Sequence, residues 1–233
     1  MPESLEDLIM LQPPTAERPL LGTLVLVVED SRHACEGLRL ICQRSGARIR
    51  RAESLASAKR HLRSYRPRVA VIDLGLPDGS GLQLIEQMAR GEPRIEAILA
   101  ISGDETLQEA ALMAGADAFL AKPIASISHF QTTVIGLLPG GLSPPQIARP
   151  SPDTVSPDPI ALRDDLCLAV DLLKTGPDAQ TLDYVSAFLA SLGKDAGDRD
   201  LIELADAFRA GTSGTVGDLA KAVENRIDEL QPV

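Results

Sequence analysis

Residues 69–81 read VAVIDLGLPDGSG. The first five, Val69 to Asp73, form a short and nearly continuous apolar run that ends on a carboxylate, which is the pattern of a strand buried on both faces of a sheet. A helix-period segment, Ser80 to Arg90, follows after a brief connection, and Ser80-x-x-Gln83 has capping-box form. Strand, turn and amphipathic helix in that order make one βα unit of a parallel sheet.

The same unit recurs on both sides. Further strands are read at Leu24 to Val28, Ala47 to Arg51, Ala97 to Ile101 and Ala118 to Ala121, and Ala47 to Arg51 (ARIRR) is polar enough for a sheet edge. Helices are read at Arg32 to Arg44, Ser54 to Tyr65, Glu105 to Ala114 and Ala125 to Leu138, with a second capping box at Thr106-x-x-Glu109 and left-handed C-caps at Gly46, Gly91 and Gly115. The expectation is an α/β unit over residues 22–138 whose five-stranded parallel sheet is doubly wound.

Residues 139–159 carry seven prolines, which suits an extended, semi-rigid linker and breaks any helix. Residues 139–158 are therefore a linker, and 159–233 a small all-α domain. Its four helical stretches lie near 160–174, 179–193, 199–210 and 216–230. Leu162, Leu166, Ala169, Val170 and Leu173 make one apolar stripe; Leu182, Val185, Leu189 and Leu192 a second; Val216, Leu219, Val223, Ile227 and Leu230 a third. Asp158 before Pro159 has the form of an N-cap with proline in the first turn. Residues 1–21 are an N-terminal extension in which only SLEDLIML (4–11) is amphipathic, and a poorly ordered tail is expected there.

Composition excludes several classes. No apolar run approaches the roughly 20 residues of a membrane span, and the acidic N-terminus lacks the pattern of a secretory signal, so a cytoplasmic location is expected. Cys35, Cys42 and Cys167 are odd in number and lack metal-type spacing, and are read as reduced, buried thiols. The net charge of −10 is unevenly placed: residues 151–233 hold 7 Lys+Arg against 16 Asp+Glu.

The successive strand ends carry Glu29 and Asp30, then Asp73, then Ser102, then Lys122. That edge of an open α/β sheet is where ligand sites form. Singly, each carboxylate reads as a solvated turn residue and the lysine as a surface residue; together, at successive strand ends, they make a site. Three carboxylates suit a hard divalent cation such as Mg²⁺. A metal on one side and a lysine on the other hold phosphoryl oxygens in line with a carboxylate nucleophile, so Asp73 is the candidate acceptor and Lys122 its countercharge. Ser102 can donate to a phosphoryl oxygen and so bias a loop with two positions.

VVED, VIDLGLPDGSG, AISGD and FLAKP stand in the order and spacing of the two-component receiver family, which residues 22–138 resemble. The resemblance implies the flavodoxin-like fold, phosphorylation of Asp73 and Mg²⁺ on Glu29, Asp30, Asp73 and the backbone carbonyl of Gly75. It implies that Leu76, Pro77 and Gly81 are the loop residues after the acceptor, that Ser102 is the switch hydroxyl, and that Lys122-Pro123 is a cis peptide. It further implies a sensor histidine kinase or phosphotransfer protein as donor. Two positions depart from the family: Glu29 replaces the commoner aspartate, and Phe119 stands where a switch tyrosine is frequent, so its outward position has no hydroxyl anchor. The chain is expected to catalyse only its own phosphorylation and dephosphorylation.

The face built from the fourth helix, fifth strand and fifth helix is then the expected site of signalling, including a homodimer contact, with a downstream protein partner for the helical domain. No histidine follows His129, which removes a histidine phosphotransfer domain. His33, just past the acidic pair, is a candidate modulator, whereas His61 and His129 are read as helix-surface residues. A helix-turn-helix has the right outline at Leu201 to Leu230, but a unit so acidic is badly matched to nucleic acid. The alternatives are a DNA-binding transcriptional regulator and a phosphate sink with a structural tail.

Overall fold

Five short segments, four of them rich in aliphatic residues, make the sheet. The structure is a computed structural model that describes residues 13–140, 153–212 and 214–230. Strands β1 (Leu24–Val28), β2 (Arg48–Ala52), β3 (Val69–Asp73), β4 (Ala97–Ser102) and β5 (Ala118–Ala121) are all parallel and run in the order β2-β1-β3-β4-β5. β3 and β4 are buried along their whole length. β2, RIRRA, takes the edge, where its arginines reach solvent. It starts one residue later than the sequence pattern suggests, because the Ala47 amide closes the preceding helix on Cys42 O and the ladder begins at Leu24 opposite Arg48.

Side chains alternate along each strand, so one strand feeds two cores. Val25 and Val27 face α1 (Arg32–Arg44) and α5 (Ile127–Leu137), packing with Leu38, Ile41, Phe130 and Val134. Leu26 and Ile72 face α2 (Leu55–Ser64), α3 (Gly81–Ala89) and α4 (Gln108–Ala114), packing with Leu84, Ile85 and Ala111. Each large apolar side chain so buried contributes about 1.5–3 kcal/mol.

Serines cap four of these helices: Ser31, Ser54, Ser80 and Ser126. Neither expected capping box forms. Ser80 accepts from Leu82 N, not from Gln83, and before α4 it is Asp104 that accepts from both Thr106 N and Thr106 Oγ1. A 3₁₀ turn, Glu105–Leu107, therefore precedes a shorter α4 than expected. Gly46 and Gly115 have positive φ as anticipated, but α3 ends on right-handed Arg90 and Gly91 does not take the left-handed cap.

The C-terminal stripes all turn inward. Helices α6 (Pro159–Lys174), α7 (Ala179–Ala196), α8 (Arg199–Arg209) and α9 (Val216–Glu229) enclose a third core of Leu166, Ala169, Val185, Leu189, Leu201 and Val223. Asp158 caps α6 with Pro159 in the first turn. α9 packs chiefly along α6, not across α8 as a helix-turn-helix requires.

The end of the proline-rich linker lies on the α/β unit. Asp153 accepts from Ser126 Oγ and Ser128 N, Thr154 bridges to Ser126, and Val155 joins the first core. SLEDLIML and residues 141–152 lie outside the described residues. Cys35 and Cys42 are buried, and burial pushes their thiols up to about 11 and about 12; Cys167, expected to be buried, is exposed on α6. Among the described residues no helix is long and apolar enough to cross a membrane.

Candidate functional site

Parallel register decides which strand ends meet. Val28 pairs with Ile72, Asp73 with Ile101 and Ser102 with Ala121, so the residues just beyond β1 and β5 stand level with the ends of β3 and β4. Glu29, Asp30, Asp73, Ser102 and Lys122 are thereby gathered at one edge, and all five are buried. Lys122 sits among the carboxylates, with Nζ 2.7 Å from Glu29 Oε2 and 3.4 Å from Asp73 Oδ1. Glu29 Oε1 accepts from Ser31 N at 3.1 Å, which holds the longer side chain back toward its own loop.

The loops around Asp73 are fixed by short-range bonds. Gly81 N donates to Leu74 O, and a Cβ on Gly81 would lie 2.0 Å from Asp73 O, so only glycine lets α3 start this close to Asp73. Asp78 caps α2 through Leu55 N and Ala56 N, tying the loop after Asp73 to the neighbouring helix. A Cβ on Gly75 would lie 4.0 Å from Asp73 Oδ2, which places Gly75 beside that carboxylate. Ser102 Oγ accepts from Asp104 N at 3.0 Å, and Phe119 is half-buried against the second core. The Lys122-Pro123 peptide is cis.

Charge at the site is unbalanced. Burial lifts the Glu29 carboxyl well above its ordinary range against the pull of Lys122, and repulsion from Asp73 and Asp30 adds to the rise. Burial and then Asp73 lift Asp30 as well. Burial pulls the Lys122 ammonium down, but Asp73, Glu29 and Asp195 outweigh it and keep it charged. The Lys122 ammonium thus faces the clustered carboxyl groups of Glu29, Asp30 and Asp73, and a divalent cation would add positive charge where acidic groups crowd. The donor set fits: Glu29, Asp30 and Asp73 each bring an oxygen within 4.8 Å of the others. Opposite ligands of a Mg²⁺ with bonds of about 2.1 Å stand roughly 4.2 Å apart, within a small rotation of that spread.

The helical unit stands over this edge, which the sequence did not disclose. Tyr184 of α7 donates a hydrogen bond to Asp30 Oδ2. Lys194 Nζ donates to Gly103 O at 2.6 Å, and Asp165 of α6 accepts from Ser31 Oγ, Arg32 N and His33 N. A cavity of about 640 Å³ lies between the two units, walled by Asp73, Ser102 and Lys122 below and by Tyr184, Lys194 and Arg209 above. Asp195, close to Lys122 and Asp73, is pushed up to about 6 by burial. His33 is buried near Asp195 and Lys122, and burial lowers its imidazole against the pull of Asp165. His61 meets Arg51 O at the surface, and His129 is exposed. In sequence Tyr184 is only one more position on an amphipathic helix, 154 residues from its acceptor.

Residues 25–133 match the response regulator receiver domain family. Among curated proteins, the KDP operon transcriptional regulatory protein KdpE of Escherichia coli is 35% identical over 101 residues, 43% of this chain and 45% of that protein. The transcriptional regulatory protein PhoP of Escherichia coli is 36% identical over 101 residues, 42% of this chain and 45% of that one. The match thus spans under half the length of these relatives. Among solved structures, a putative response regulator from Chloroflexus aurantiacus has 26% sequence identity and a TM-score of 0.47, covering 49% of this chain and 96% of that one.

Proposed function

Residues 25–133 are a response regulator receiver domain, and from that premise we propose that the chain accepts a phosphoryl group on Asp73 from a sensor histidine kinase or phosphotransfer protein. The observation that carries this reading is the Asp73 carboxylate at a strand end, 3.4 Å from a buried lysine and clustered with the Glu29 and Asp30 oxygens. Glu29, Asp30, Asp73 and the Gly75 carbonyl would hold Mg²⁺, which when bound supplies positive charge to the transferring phosphoryl oxygens.

An Asp73 oxygen attacks phosphorus as the bond from phosphorus to the donor's histidine nitrogen breaks, leaving an acyl phosphate on Asp73 and a free imidazole. Lys122 is poised to exchange Glu29 for a phosphoryl oxygen, since its ammonium lies between the two carboxylates. Ser102 accepts from Asp104 N in this structure, and its own proton is free to turn toward a phosphoryl oxygen. Phe119, half-buried, follows that loop as a switch. Attack of water on the acyl phosphate returns Asp73 and inorganic phosphate, so the chain's catalysis is confined to its own modification.

A protein contact is the output best supported. Met113 is 82% exposed and Leu112 44% exposed on α4, an apolar pair on the face expected to signal or to form a homodimer. Of the two basic residues of α9, Arg226 is spent within the helical unit, pairing with Asp198 and Glu229. Lys174 of α6 likewise pairs with Glu224. Transcriptional control is the second reading, favoured by the names of KdpE and PhoP. Incubation with acetyl phosphate and Mg²⁺ is expected to add one acid-stable, alkali-labile phosphoryl group; equal labelling of Asp73→Asn refutes the assignment. Salt-sensitive retention of genomic DNA fragments by the phosphorylated chain would move the output to the second reading.

A further inference from the structure

We propose that the helical unit is a gate on the receiver's own site and that Tyr184 is its latch: the Asp30 carboxylate is held either by the Tyr184 hydroxyl or by a divalent cation. The proposal rests on the reading of Glu29, Asp30 and Asp73 as a cation site. Ion binding, and with it phosphoryl acceptance, is thermodynamically linked to undocking of α7.

Three separate contacts from the helical unit converge on the parts of the receiver that the reaction needs. Tyr184 donates to Asp30 Oδ2, and its ring is stacked at 5.9 Å on Phe188 one turn along the same helix, so the phenol is carried by α7. Lys194 holds the Gly103 carbonyl, and a Cβ on Gly103 would meet Ser191 and Lys194 at 3.5 Å, so α7 rests directly on the loop that Ser102 must carry with it. Asp165 is 1% exposed and binds the first turn of α1, immediately after the acidic pair.

Size points the same way. The partly open cavity of about 640 Å³ has room for a small phosphodonor. A helix presenting a phosphohistidine is about 10–12 Å across with its side chains, so a protein donor reaches Asp73 only after α7 has moved. A ligand that binds one state better than the other shifts the balance by that difference and no more, and the linkage is reciprocal. Mg²⁺ favours the undocked state because docking occupies its ligand.

The chain has no Trp and two Tyr, so Tyr65→Phe leaves Tyr184 as the intrinsic fluorophore, quenched while its hydroxyl donates to the Asp30 carboxylate. Titrating this protein with Mg²⁺ alone is expected to raise tyrosine emission along a saturable curve, and an Asp30→Asn background is expected to flatten it. By calorimetry, Tyr184→Phe is expected to bind Mg²⁺ about tenfold to a hundredfold more tightly than wild type, the worth of one hydrogen bond to a carboxylate. Asp165→Asn, which loosens docking without touching Tyr184, is expected to tighten Mg²⁺ binding too. Equal dissociation constants in wild type, Tyr184→Phe and Asp165→Asn, with Asp73 still labelled by acetyl phosphate, overturn the gate and leave the acceptor reading standing. Absence of Mg²⁺ binding from wild type and Tyr184→Phe alike overturns both.

Discussion

Replacing Asp165 by asparagine tests how the two units are held together. Asp165 is almost fully buried, and its two oxygens accept from Ser31 Oγ at 2.8 Å, His33 N at 2.9 Å and Arg32 N at 3.0 Å. The carboxylate thus stands at the N-terminus of α1, where free amides and the helix dipole both favour an anion. Asparagine retains one acceptor oxygen, turns an N–H₂ toward donors, and removes the charge. Losing one hydrogen bond to a charged group costs about 1.5–3 kcal/mol, and the dipole contribution adds roughly 0.5–1 kcal/mol. The docking equilibrium should therefore shift by about 2–4 kcal/mol, or roughly 30-fold to 1,000-fold. Amide hydrogen exchange reads this directly, because the Arg32 and His33 amides have Asp165 as partner. Their exchange should quicken by that factor while amides of β3 and β4 keep their protection. Unchanged protection at both amides would mean that desolvating the carboxylate cancels what its hydrogen bonds contribute, and the argument for Asp165 as an anchor fails.

Three further outcomes follow from the site. Gly81→Ala puts a Cβ 2.0 Å from Asp73 O, so urea unfolding should show a loss of about 1–3 kcal/mol or more as α3 is pushed off the loop after Asp73; a loss under about 1 kcal/mol contradicts the close approach. Lys122→Met strands Glu29 and Asp73 without their ammonium, costing about 3–5 kcal/mol near neutral pH, and the deficit should shrink as pH falls and the carboxylates protonate; a deficit independent of pH points to lost packing instead. Asp195, facing Lys122, Asp73, Asp165 and Lys194, is raised from 3.8 to about 6, so its protonated form stabilises the fold fully below 3.8 and that contribution is lost as pH rises through about 6. Asp195→Asn should accordingly match wild type in thermal melts near pH 4 and exceed it by about 1–2 kcal/mol near pH 8, after allowance for the solvent that reaches this partly exposed carboxyl; the reverse order refutes the assignment.

The sheet was legible because each strand announces itself locally. VAVID and AILAIS are short apolar runs that only a two-faced burial explains, and RIRRA marks its own place at the edge. Once the strands are parallel, their register alone brings Glu29, Asp73, Ser102 and Lys122 together. Local detail was less legible. Thr106 and Asp104 both have the chemistry of an N-cap, and the choice of Asp104 depends on where the chain leaves β4. Cys167 sits among the apolar residues of α6 yet faces solvent, since the stripe that packs is set by neighbouring helices.

By itself, then, the sequence determined the strand ends and the residues that share the edge around Asp73, because periodicity and strand order are properties of consecutive residues. Only the tertiary structure decided that the acidic helical unit lies over that edge, with Tyr184 on Asp30, Asp165 on the first turn of α1 and Lys194 on the Ser102 loop. Docking of one folded surface on another depends on shape and on partners 91 to 154 residues apart. No local pattern of apolar spacing carries that information.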